Sequence, residues 1–185
     1  MMVTRSESKE QYKMRGQESL HWLEKAQGLR YCAGVLKTHL LETIDTPPAS
    51  RRVETIGVVN STLLLLGFAF ENLIKGVKIA EDSSLVDLDR FNIKSWRKDD
   101  GGHGIKTLAA SLITLTSAEG ELLDRLQESI FWAGRFPIPL TSERYHESNN
   151  PVNKHQLSAG DFETADQLFE KLQEQLMKFR SVHTG

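Results

Sequence analysis

The stretch "VETIGVVNSTLLLLGFAFENLIKGVKIA", residues 53–80, leaves the chain few choices of fold. Val53, Ile56, Asn60, Leu63, Gly67, Phe70, Ile74 and Val77 follow one another in steps of three and four, which is the spacing of one face of an α-helix. Leu64, Leu65, Leu66 and Phe68 widen that stripe until the helix is apolar on nearly every side. A helix of this kind has to be surrounded by other elements. Pro47 and Pro48 stop whatever precedes it, and Ser50 offers a side-chain oxygen to its first N–H groups. No segment alternates apolar and polar residues with period two, so the surrounding material is expected to be helical as well.

The remaining segments supply it. From Gln17, the residues Leu20, Leu23, Ala26 or Gln27, Tyr31, Val35 and Leu41 can share a face, up to the "DTPPAS" break. Ile105, Leu108, Ala109, Leu112 and Ile113 read as a short helix over 105–115. Thr116 and Glu119 have capping-box spacing and open a helix through Leu122, Leu123, Leu126, Ile130 and Ala133 to Arg135. Ser158 and Asp161 can start a last helix, whose Phe162, Ala165, Phe169, Leu172, Leu176 and Phe179 make the cleanest amphipathic stripe in the chain. Two long connections, 82–104 and 136–157, have no periodicity. Residues 1–16 are polar and charged and read as a flexible lead-in. The expectation is an all-α, up-and-down bundle of about five helices with two long loops, forming one domain over 17–182.

Composition narrows the function classes. The 185 residues suit one sizeable core, and a net charge of -2 gives no overall basic field to recruit nucleic acid. The single cysteine, Cys32, excludes an internal disulfide and a multi-cysteine zinc site, and reads as a small helical residue. The opening residues lack the apolar region of a leader peptide, and "STLLLLGFAF" followed by Glu71 is too short to span a bilayer. A soluble, cytoplasmic chain without membrane partners is therefore expected. There is no G-x-S-x-G, no phosphate-loop motif and no G-x-G-x-x-G, so no cofactor is expected. None of the six histidines pairs with another at a helical i, i+4 spacing, and no metal site is expected.

Three constellations remain. Glu71, Lys75 and Lys78 share one helix face with Leu64 and Phe68, so the carboxylate is either part of a solvated strip or buried with a cationic partner. In "FWAGRFPIP", Arg135 closes a helix behind Phe131 and Trp132 and is followed by a stiff exit through Pro137 and Pro139. That position suits a C-terminal cation, a stacked arginine or a ligand-binding arginine. His103 lies in the glycine-rich turn "GGHG", and His146 is the first histidine after Arg135.

Three segments resemble the HEPN superfamily of small helical-bundle proteins: "LLLLGFAFENLIKGVKIA", "GHGIKTLAASL" and "LLDRLQESIFWAGRFPIPL". With the last helix, the resemblance spans residues 17–182. It implies a homodimer whose Glu71, Lys75, Lys78, His103 and Arg135 bind a nucleotide, RNA or a partner protein. It also implies a role in a prokaryotic toxin–antitoxin or phage-defence system, beside a cognate nucleotidyltransferase or antitoxin. Many members of the family are metal-independent ribonucleases with an Arg-x(4–6)-His motif. Here His146 comes too late after Arg135 for that motif, and the Arg-aromatic-Pro form resembles the binding branch. The resemblance places the helices of Glu71 and Arg135 side by side, so an ion pair between them is expected. A divergent endoribonuclease using Arg135 and His146 is the alternative, and a purely structural helical partner, whose Arg135 only pairs with Glu71, is a third.

Overall fold

The computed structural model describes residues 5–44, 52–90, 104–133 and 157–183. They form six α-helices: α1 Arg5–Gln17, α2 Ser19–Ile44, α3 Arg52–Glu81, α4 Ile105–Ala110, α5 Ser117–Glu128 and α6 Ala159–His183. A 3₁₀ turn, Ser83–Leu85, follows α3, and α5 runs on into a π turn, Ser129–Ala133. Among the described residues there is no β-strand. The chain is an all-α bundle.

α3 is the axis of the bundle, with α2, α4, α5 and α6 packed against it. Its Leu63, Leu66, Ala69, Phe70, Leu73, Ile74 and Val77 are buried, as the apolar run demands. Side-chain pairs fix the directions of the other helices. Arg30 meets Asp166 and Arg180 meets Glu18, so α6 runs antiparallel to α2. Arg125 meets Asp161 and Lys171 meets Glu119, so α6 also runs antiparallel to α5. At the centre, the Phe169 ring stands edge-on to Phe70 with centroids 5.9 Å apart.

Two glycines of α3 set how closely its neighbours approach. A Cβ on Gly67 would lie 2.8 Å from Ile130 Cγ1 and 3.0 Å from the Leu126 carbonyl of α5. A Cβ on Gly76 would lie 2.9 Å from Trp22 Cβ of α2. Both helices therefore press their flanks directly onto the α3 backbone.

Two of the caps read from sequence are present, and the third, Ser50, lies outside the described residues. Thr116 Oγ1 accepts from the Glu119 N–H at 3.3 Å, and the Thr116 N–H donates to Glu119 Oε2 at 2.7 Å. At the start of α6, the Ser158 N–H donates to Asp161 Oδ2 at 2.7 Å and the Asp161 N–H donates to Ser158 Oγ at 3.2 Å.

Four features differ from expectation. Most of the segment expected as a lead-in is helix α1. On α2, Leu23 and Ala26 are buried as expected, but Tyr31, Val35 and Leu41 are exposed, and Ala33 and Leu40 are buried instead. The small alanines face α3 because they let two long helices pack closely, while the larger apolar residues project outward. The stripe of α3 also begins later than its spacing suggests, with Val53 and Ile56 exposed. Finally, Val53–Glu81 is long and apolar enough to cross a membrane, with a mean hydropathy of 1.6 over its best window, contrary to the expectation from "STLLLLGFAF". The unbroken apolar run is short, but a window of spanning length tolerates the few polar residues around it.

Candidate functional site

Glu71 sits midway along α3 and is buried, with 6% of its surface exposed. Lys75, one turn on, donates from Nζ to Glu71 Oε1. Their side chains are 7% and 16% exposed, so this is a buried pair rather than a solvated strip. Lys78 donates to Glu81 Oε2 at 2.8 Å. The strip thus holds two cations and two carboxylates in neighbouring pairs. Lys78 also lines a hollow of about 380 Å³ with Thr107 and Leu108 of the short helix α4 and Ser111 just after it.

Arg135, His103 and His146 lie outside the described residues, and so does the expected Glu71–Arg135 ion pair. What is described of that region is its approach. α5 leaves α-geometry for the π turn Ser129–Ala133, and Ile130 within that turn is pressed against Gly67. Glu71 is one turn further along α3 from Gly67. Among the described residues, no group of three or more His, Cys, Asp or Glu side chains could hold a metal ion.

Several ion pairs escaped the sequence reading. Arg125 donates to Asp161 Oδ1 with both side chains mostly buried. Lys171 bridges the Thr114 carbonyl at 2.6 Å and both Glu119 oxygens at 3.2 Å. Burial pushes the Glu119 carboxyl up, but the Thr116 N–H and the Lys171 ammonium outweigh it and hold the group below its ordinary value. The Leu20 N–H and Arg180 likewise hold Glu18 low, against burial. Each ion-pair partner lies far away in sequence, and only the Thr116 contact of Glu119 and the Leu20 contact of Glu18 are local.

Two clefts flank α2. One, of about 510 Å³, lies between α2 and α6 and is lined by Arg30, Lys37, Phe162 and Asp166. Its cations are engaged: Arg30 with Asp166 and 4.6 Å above the Phe169 ring, Lys37 4.6 Å above the Phe162 ring. The other, of about 480 Å³, lies between α1 and α2.

Comparison with family models, with curated proteins and with solved structures finds no match for this chain.

Proposed function

We propose that the chain is a HEPN-type helical module that works by binding rather than by cleavage. Arg135 contacts a nucleotide, RNA or a partner protein, and the buried Glu71–Lys75 pair stiffens the bundle behind it. The module acts as a cytoplasmic homodimer, paired with a nucleotidyltransferase or antitoxin in a toxin–antitoxin or phage-defence system.

The observation that carries this reading is the π turn Ser129–Ala133, two residues before Arg135 in sequence. π turns inside α-helices are rare and occur frequently at functional sites, because the extra residue re-aims the side chains that follow. The exposed Tyr31, Val35, Val53 and Ile56 on α2 and α3 supply apolar surface for a second copy.

The test is binding of RNA and of nucleotides to purified protein. Arg135→Ala is expected to weaken binding at least tenfold with helicity unchanged, and unchanged affinity would overturn the reading. Metal-free RNA cleavage lost in both Arg135→Ala and His146→Ala would establish the nuclease instead. Sedimentation at micromolar concentration is expected to show a dimer, and a monomer would remove the second copy from the account.

A further inference from the structure

We infer that the cleft between α1 and α2 is a binding site for a nucleoside monophosphate, its base against Trp22 and Tyr12 and its phosphate at Arg15 and Lys25. The inference is independent of the HEPN reading and uses none of that reading's residues.

The cleft is built by spacing. Ser8, Gln11, Tyr12 and Arg15 share one face of α1, and His21, Trp22 and Lys25 come from the start of α2. Asn72 of α3 closes the floor. At about 480 Å³ the space falls within the roughly 300–1,000 Å³ of small-molecule sites.

Its charge is one-sided. Arg15 and Lys25 line it, His21 stands beside them, and no carboxylate is among the lining residues. Several cations elsewhere in the bundle are matched by carboxylates, as with Arg30–Asp166, Arg125–Asp161, Lys106–Asp124, Lys171–Glu119 and Arg180–Glu18. Among the described residues, neither the Arg15 guanidinium nor the Lys25 ammonium makes an ion pair or side-chain hydrogen bond. Two unmatched cations converging on one cleft call for an anion.

Its walls are aromatic and fixed. Trp22 Nε1 donates to the Gly16 carbonyl at 2.9 Å, and its Cβ rests on Gly76, where no side chain intervenes. The indole is therefore held in place before any ligand arrives. Tyr12, on the opposite helix, is 44% exposed, a flat ring free to stack. An anion alone would need only the two cations. Two aromatic walls beside them fit a planar base carrying the phosphate. Asn72 donates to the Phe68 carbonyl at 2.7 Å, which leaves its own oxygen, with Gln11 and Ser8, to read polar edges of the base.

The helix that supplies this wall is held by a few polar contacts and buries no side chain of its own. A ligand bridging α1 and α2 would complete that interface.

Calorimetry with the four ribonucleoside 5′-monophosphates, the nucleosides and inorganic phosphate tests the assignment. Arg15, Lys25 and Tyr12 are exposed, so their substitution leaves the bundle intact, which circular dichroism verifies. At least one monophosphate is expected to bind more tightly than its nucleoside and than phosphate. The double variant Arg15→Gln, Lys25→Gln is expected to weaken it at least tenfold and to flatten its salt dependence. Tyr12→Ala is expected to weaken it by about 5- to 150-fold. Absence of binding at millimolar ligand, or phosphate binding as tightly as the nucleotide, would overturn the assignment. So would nucleotide binding that survives the double variant, and if that binding is lost in Arg135→Ala, the nucleotide belongs to the other site.

Discussion

Helices α1 and α6 are held by different physics. α6 buries Phe162, Ala165, Leu168, Phe169, Leu172 and Leu176. α1 buries nothing, and Tyr12 and Met14 stand in solvent. Its attachments are polar and few. Gln17 Nε2 donates to the Ser83 and Val86 carbonyls at 3.1 and 2.9 Å, Trp22 donates to the Gly16 carbonyl, and Lys9 pairs with Asp89. A net hydrogen bond contributes about 0.5–1.5 kcal/mol and an exposed ion pair about 0–1, whereas each large buried side chain of α6 contributes about 1.5–3. α6 belongs to the bundle's cooperative core, and α1 is a light arm laid over it. The arm also makes one close apolar approach: a Cβ on Gly16 would lie 2.6 Å from the buried Val86.

That contrast breaks most visibly at Phe169. Phe169→Ala is expected to cost about 3–5 kcal/mol in urea unfolding, since it empties a space bounded by Phe70. A loss under about 1 kcal/mol would mean that α6 is not core. Next comes Glu71→Ala, which removes the carboxylate paired with Lys75, a side chain only 16% exposed. A loss of about 3 kcal/mol is expected, the low end for breaking a buried pair, because the lysine can swing toward solvent. A neutral result would show the pair to be dispensable.

Acid sharpens the comparison in a different way. The Glu18 and Glu119 carboxyls are held below their ordinary value of 4.5, and both pair with α6, through Arg180 and Lys171. The unfolded chain therefore takes up protons first. The stability they contribute is fully present above about pH 4.5 and is lost as pH falls through the lower folded values. Unfolding midpoints are expected to drop below pH 4.5, and less steeply in Glu119→Gln. Equal slopes in the two proteins would remove Glu119 from the account. The smallest effect belongs to the arm. Trp22→Phe deletes the bond to the Gly16 carbonyl and is expected to cost about 1 kcal/mol or less globally. A loss comparable with Phe169→Ala would put α1 inside the core.

The same physics explains what could be read from the chain in advance. The stripe from Phe162 to Phe179 was legible because large apolar side chains recur at helical spacing and only one face can be buried. The Thr116–Glu119 box was legible because a cap is a local event. On α2 the logic misled, since alanines carry little hydrophobic weight in a pattern yet decide which face can approach α3. α1 was not legible as part of the structure, because its docking rests on Gln17 reaching carbonyls more than sixty residues away. Of the candidate site, Glu71 and Lys75 were legible as a pair by spacing, while their burial depends on the helices around α3. The α1–α2 cleft had no signal at all: its cations and rings are ordinary surface residues until two helices bring them together.

Native-state hydrogen exchange tests the division between arm and core most directly. The amides of α1 from its second turn to Gln17 are expected to exchange through local opening, well before those of α3 and α6, which should exchange only with global unfolding. Protection of α1 equal to that of α3 and α6 would contradict the account, because it would require the arm to open only when the whole bundle does.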